Sequence, residues 1–234
     1  MKFTVGLLVV LTFFYPSIGQ ESRSIDDWLK VLSYGVGNQT NATELSDEEV
    51  LARNDYCLPQ EFVSCSLLLG NETVLEKISA KYDYRGNIVL INHNDKNLIA
   101  APNMIKEIKF SYQQKEFKLI NVTQMDRSFG RKGFYEVLLE DEENKLVSHR
   151  FVETFLPSYN ATVDAGVKDT IYSEKKEFLI FDSQKLYPLE NFKSKTLGQF
   201  DEKANPLKAY IKKEKLKFKE EEDLKRFAQY LWSL

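Results

Sequence analysis

Short apolar runs alternate with turn sequences between Glu61 and Leu189, and this pattern constrains the fold more than any other feature. Within the runs, apolar residues tend to recur at every second position, which is the period of a half-buried β-strand. The predicted strands are Phe62–Leu69, Val74–Tyr84, Ile88–Ile91, Leu98–Ala100, Ile105–Tyr112, Phe117–Ile120, Phe134–Leu139, Leu146–Phe155, Phe178–Phe181 and Leu186–Leu189.

The connections between these strands are too short for parallel pairing. Tight turn sequences include Arg85-Gly86-Asn87, Asn94-Asp95-Lys96, Gln113-Gln114-Lys115 and 141–144. Neighbouring strands are therefore joined by hairpins, because a parallel crossover needs a dozen residues or more. We predict an α+β protein built on an antiparallel β-meander that is curved or partly closed.

Helices are predicted at both ends of this sheet. Ser24 caps a first short helix, and Ser46 with Glu49 forms a capping box for a second. Near the C-terminus, Asn205 is a predicted cap followed by Pro206, and a last helix covers 220–234. Its apolar stripe is typical of a helix packed on its own sheet, and binding of a partner is the alternative. The stripe comprises Leu224, Phe227, Ala228, Leu231 and Leu234.

Residues 1–19 have the pattern of a signal peptide. Lys2 precedes an apolar stretch, Val5–Phe14, and small residues occupy positions 17 and 19. About ten apolar residues are too few to span a bilayer, although a retained anchor is the alternative. We therefore predict an exported protein, periplasmic or extracellular, with a signal peptide (1–19), an N-terminal helical and linker segment (20–60) and a β-rich domain with C-terminal helices (61–234).

Charge and composition exclude some partners. The net charge of the full chain is −3, and removal of Lys2 with the signal peptide changes it to −4. Acidic and basic residues are interleaved, so the chain offers no basic patch for nucleic acid. No stretch after the signal peptide is apolar enough to form a transmembrane segment.

The two cysteines, Cys57 and Cys65, are close in sequence. In an oxidising compartment a local disulfide between them is predicted, and two buried free thiols are the alternative. Five Asn-x-Thr sequons, whose asparagines would carry glycans in a eukaryotic secretory pathway, occur at Asn38, Asn41, Asn71, Asn121 and Asn160.

No catalytic, cofactor-binding or metal-binding motif is evident. His93 and His149 are the only histidines, and neither accompanies a nucleophile motif or a set of zinc ligands. Gly130 and Gly133 do not lie between a strand and a helix, as a phosphate-binding loop requires. The acidic run 141–144 lacks the order of a calcium loop and is typical of an exposed turn.

Two groups of segments form a further pattern: Tyr82-Asp83-Tyr84, 105–110 and 133–139 in the middle of the chain, and 207–218, 221–224 and 230–234 near its end. Together these segments resemble exported cell-envelope proteins of Bacteroidota whose function is unknown. The resemblance covers about residues 61–234 and implies an envelope location and a fold of sheet plus helices. It implies no activity and supplies no catalytic residues. Residues 20–60 and the five sequons depart from that pattern.

Four functions are consistent with these features. The first is a noncatalytic envelope protein, either structural or binding a ligand or another envelope protein on the exposed face of the sheet. The second is a carrier for an apolar ligand held in a curved sheet, and the third is a hydrolase with a carboxylate pair that sequence cannot select. The fourth is a secreted eukaryotic glycoprotein.

Overall fold

The computed structural model describes residues 24–34, 44–112, 115–124, 132–158, 166, 169–182 and 185–234. The predicted signal peptide lies outside these residues, as does most of the predicted linker. The described chain forms one antiparallel sheet of eleven strands that does not close, together with helices near both ends. The α+β prediction is therefore confirmed.

The sheet begins earlier than predicted, at a two-residue strand in the linker segment. The strands are β1 (Glu44–Leu45), β2 (Cys57–Leu69), β3 (Val74–Asp83), β4 (Ile88–His93), β5 (Lys96–Ala100), β6 (Ile105–Tyr112), β7 (Lys115–Asn121), β8 (Phe134–Glu140), β9 (Asn144–Phe155), β10 (Ile171–Asp182) and β11 (Leu186–Pro188). Their order across the sheet is β1-β5-β4-β3-β2-β6-β7-β8-β9-β10-β11.

The strand order shows two meanders that meet in the middle of the sheet. Strands β2 to β5 run towards one edge, and the chain then returns so that β6 pairs with β2. The tight turn between β4 and β5 has positive φ at both Asn94 and Asp95, as a two-residue hairpin loop of type I′ requires. From β6 onward, each strand pairs with the next along the chain.

Helices α1 (Ile25–Tyr34) and α2 (Asp47–Leu51) lie over the first meander. Leu29 and Leu32 of α1 pack with the first core cluster, which includes Phe110 and Phe134. Val50 of α2 packs with Leu90 in a cluster on the opposite face of the sheet. The predicted caps are confirmed: Asp27 N donates to Ser24 Oγ, and Ser46 and Glu49 form a capping box.

The C-terminal helices cover the second meander on the same face as α1. They are α3 (Ser194–Leu197), α4 (Ala204–Glu214) and α5 (Glu221–Ser233). Four of the five stripe residues of α5 are buried with Leu146 and Ile180 of the sheet, whereas Leu234 is exposed. The predicted cap at Asn205 is wrong, because α4 begins at Ala204 and its first turn has no side-chain cap.

Candidate functional site

Strands β7 and β8 separate part-way along their length. They pair only at Leu119–Glu136, Ile120–Tyr135 and Asn121–Phe134. The first half of β7 pairs with β6 over 115–118, and the second half of β8 pairs with β9, but these two halves do not pair with each other. We call the resulting gap the β7–β8 cleft.

The cleft has a volume of about 730 Å³. Four lysines line it: Lys109, Lys115, Lys118 and Lys225. Four glutamates balance them: Glu116, Glu136, Glu140 and Glu221. Four apolar residues complete the wall: Phe117, Val137, Leu138 and Leu139. The cleft is large enough for a ligand of several residues or a drug-sized molecule, and its wall is electrically balanced.

Side chains from both faces of the sheet line the cleft. Phe117 packs with the first core cluster on the face that carries the helices, and Glu221 and Lys225 belong to α5 above that face. Lys118 lies next to Phe117 in β7 and therefore points to the opposite face. The cleft is consequently a gap between two strands and not a depression on one face.

Strand geometry leaves backbone hydrogen-bonding groups facing this gap. N–H and C=O groups of alternate residues point to opposite sides of a strand. Tyr112 and Lys115 form the closing pair of the β6–β7 ladder, so Lys115 bonds to β6 whereas Glu116 and Lys118 direct their groups toward β8. On β8, Val137 lies two residues beyond Tyr135 and directs its groups toward β7.

Ion pairs fix the charged side chains around the cleft. Lys118 bonds Glu140 across the gap, and Lys145 lies 3.1 Å from the same carboxylate. Partial burial raises the pKa of Glu140, but the hydrogen bonds from Lys118 and Lys145 outweigh burial and lower it overall. Hydrogen bonds to Glu222 and Glu221 raise the pKa of Lys225. Glu140 and Lys225 are therefore charged at neutral pH.

The predicted disulfide between Cys57 and Cys65 is wrong, since both are free, buried thiols. The two residues lie on one strand, β2, where Cys57 pairs with Asp83 and Cys65 pairs with Ile78. An extended strand rises about 3.3 Å per residue, whereas bridged Cα atoms lie within about 7 Å. Burial raises the pKa of Cys57 to about 11 and that of Cys65 to about 12.

Two of the five predicted glycosylation residues lie in the described part of the chain. Asn71 is exposed in the turn after β2. Asn121 is buried, and its Nδ2 donates to the carbonyls of Pro102 and Ile105. A glycan on that nitrogen would displace at least one of these hydrogen bonds. Asn38, Asn41 and Asn160 lie outside the described residues.

Both histidines have defined structural contacts. His93 Nε2 lies 2.6 Å from Asp26 Oδ1, which ties α1 to the end of β4. His149 is buried against Tyr135 and Phe151, and its Nδ1 lies 3.1 Å from Glu177 Oε1. Within the described ranges, no group of three or more His, Cys, Asp or Glu side chains is arranged to hold a metal ion.

Comparison with known proteins identifies no family for this fold. No family model matches the chain. No curated protein and no solved structure shows significant similarity to it either. In the described part of the chain, no helix is both long and apolar enough to cross a lipid bilayer.

The residues of the cleft were not predicted as a site. Their strands were predicted as Phe117–Ile120 and Phe134–Leu139, but the apolar alternation that predicted them does not show where the strands separate. The available signal is the charge inside the first strand, where Glu116 and Lys118 flank Phe117. Charged residues on both sides of an apolar residue within a strand are typical of a strand edge that faces solvent.

Proposed function

We propose that this protein is a noncatalytic binding protein that holds an extended polypeptide segment in the β7–β8 cleft. The observation that carries the proposal is the separation of β7 and β8 beyond their three paired positions. The bound segment adds as a strand to one edge of the cleft, where backbone N–H and C=O groups have no strand partner among the described residues.

The wall chemistry supports a polypeptide over other ligands. Its charges balance, so a ligand of one strong sign, such as a nucleic acid, gains little there. An apolar carrier site would lack the eight charged side chains that line this space. A polypeptide brings backbone donors and acceptors, and its side chains contact both Phe117 and the charged rim.

The ion pairs of Glu140 argue against a general-acid role for this carboxylate. Lys118 and Lys145 hold the pKa of Glu140 below its usual range, whereas a general acid needs a raised pKa. Because Lys118 and Lys225 already have carboxylate partners, ligand charges must exchange with these to bind. We therefore expect backbone hydrogen bonds and apolar contacts to dominate the binding free energy. The cleft should consequently accept peptides of varied sequence.

Location in the cell envelope or outside the cell is part of the same proposal. It is supported by the signal-peptide pattern of residues 1–19 and by the resemblance to exported proteins. An exported binding protein with this cleft meets unfolded or extended segments of other exported chains.

The proposal is tested by selecting ligands from a displayed library of random twelve-residue peptides on the immobilised protein. We expect enriched peptides of varied sequence that compete with one another. Absence of enrichment over a surface without protein contradicts the proposal.

Matched variants of Lys118 separate backbone from side-chain recognition. Lys118→Pro removes one N–H that faces the cleft, whereas Lys118→Ala keeps that N–H and removes the charge. Binding of selected peptides should fall at least about tenfold in the proline variant and change little in the alanine variant, with circular dichroism confirming that both fold. Equal effects of the two substitutions would contradict strand addition.

A further inference from the structure

A second pocket lies beside α2, and a buried lysine is part of its lining. Lys81 of β3 is 2% exposed, and it points to the face of the sheet that α2 covers. The pocket has a volume of about 280 Å³ and opens to solvent between α2 and the first half of β2. A lysine is almost never buried to this extent unless a carboxylate pairs with it.

Lys81 has hydrogen-bond acceptors but no ion-pair partner in the part of the chain that the structure describes. Its Nζ donates to Asn54 Oδ1 and lies 3.4 Å from the carbonyl oxygen of Gln60. The ring of Phe62 lies on another side, with its centroid 4.6 Å from Nζ. Within the described residues, no carboxylate oxygen lies within ion-pair distance of this nitrogen.

The charged groups around Lys81 do not neutralise it. Asp83 is fully buried, but its carboxylate accepts from Arg53 Nη1 at 2.8 Å and from the backbone N–H groups of Arg85 and Gly86. Cys57 is a neutral thiol at physiological pH, because burial raises its pKa to about 11. Burial lowers the pKa of Lys81, and the influence of Cys57 and Asp83 only partly offsets it.

We propose that Lys81 is a reactive amine that captures small neutral aldehydes as an imine in this pocket. Two N–H bonds of Lys81 are directed at Asn54 and Gln60, so the lone pair of the neutral amine points away from these two acceptors. Val50, Leu51 and Phe62 give the pocket an apolar wall, and its volume is sufficient for a small aldehyde. Asp47 and Glu61 at the rim disfavour anionic aldehydes.

The reaction needs no oxidant or reductant. The Nζ lone pair attacks the carbonyl carbon, and a proton moves from the nitrogen to the new alkoxide to give a carbinolamine. The hydroxyl group then accepts a proton from solvent and leaves as water, and the nitrogen loses its second proton to solvent, so one amine and one aldehyde give one imine and one water. Lysine amines with a lowered pKa are the ones that form such imines in proteins.

The test is reductive labelling of the folded protein with propionaldehyde and cyanoborohydride at pH 6.5, followed by peptide mass spectrometry. We expect Lys81 to gain the propyl group faster than the exposed Lys77 of the same strand, because its lowered pKa leaves a larger fraction of the amine neutral. Labelling of Lys81 no faster than Lys77 would overturn the proposal.

Two controls make the result specific to the pocket. Lys81→Arg keeps a donor for Asn54 but cannot form the imine. The peptide that is labelled fast in the wild type should therefore be unlabelled at position 81 in this variant, while the labelling of Lys77 is unchanged. With glyoxylate, an anionic aldehyde, the ratio of Lys81 labelling to Lys77 labelling should be lower than with propionaldehyde. Equal ratios for the two aldehydes would contradict the assigned ligand class.

Discussion

Single buried polar residues carry much of the specificity of this fold. Asp83 has no exposed side-chain surface and binds three donors, one from Arg53 and two from the turn that follows β3. A buried carboxylate of this kind is stabilising only while all its donors remain. The same carboxylate binds Arg53, which directly precedes Asn54 in the lining of the Lys81 pocket.

Replacement of Asp83 should therefore destabilise the protein strongly. We expect Asp83→Ala to lower the free energy of unfolding by about 3 kcal/mol, because it leaves an arginine and two backbone N–H groups without an acceptor. Glu44→Ala, which breaks the exposed pair with Lys96, should cost less than about 1 kcal/mol. Urea titration of the two variants measures both values, and similar losses would contradict this account of Asp83.

The free cysteines make a second prediction at this scale. Neither thiol should react quickly in the folded protein, since both are buried and their pKa values lie near 11 and 12. A chromogenic disulfide reagent at pH 8 should modify two thiols per chain in denaturant and fewer than one in the native protein within minutes. Detection of no thiol in denaturant would show a disulfide instead.

Cys65 should also make stability fall at alkaline pH. Its pKa is raised from 9.0 to about 12 by folding, so its contribution is fully present below pH 9 and is lost as pH rises toward 12. Between pH 8 and pH 10.5 the loss is about 2 kcal/mol. Urea titrations of the wild type and Cys65→Ala isolate this contribution, because the variant should lack that part of the decline.

At the scale of elements, α5 is held by its apolar stripe. Phe227 is fully buried, and its ring centroid lies 5.0 Å from that of Phe192. We expect Phe227→Ala to cost about 3–5 kcal/mol, whereas Gln229→Ala on the exposed side of the helix should change stability by less than about 0.5 kcal/mol. Thermal unfolding followed by circular dichroism distinguishes them. A small loss for Phe227→Ala would favour the alternative in which the stripe binds a partner.

Most strands could be predicted from alternation, because each has one face buried against helices or another cluster. The N-terminal half of β10 was missed, since Ser173, Glu174, Lys175 and Lys176 carry no apolar alternation and their strand is specified by pairing with β9. Helix α3 was also missed, because four residues are too few to show a period. The order of apolar and polar residues predicts a strand or a helix only where the buried positions recur with the period of that element.

Neither candidate site could be predicted from local pattern. The β7–β8 cleft depends on where two strands stop pairing, and that is a property of sheet twist and of what packs beside each strand. Lys81 lies in an otherwise ordinary strand between Ala80 and Tyr82, and it is buried by α2 together with Asn54 and Phe62. Both features arise from contacts between segments that are distant along the chain.

On the scale of the whole molecule, the open sheet explains the proposed binding. Helices α1, α4 and α5 cover one face at two places, and the cleft lies next to the start of α5, from which Glu221 and Lys225 project. Each strand beside the cleft is paired on its other side, β7 with β6 and β8 with β9, and this pairing holds the two edges of the cleft in place. A ligand strand therefore meets preformed donors and acceptors.

The most direct test of the cleft is residue-resolved amide hydrogen exchange in the folded protein. We predict rapid exchange at Glu116, Lys118 and Val137 and slow exchange at the paired Ile120 and Tyr135. A saturating selected peptide should then protect the first three amides. Protection of Glu116, Lys118 and Val137 equal to that of Ile120 and Tyr135 in the peptide-free protein would show that β7 and β8 pair along their full length, and would contradict the account.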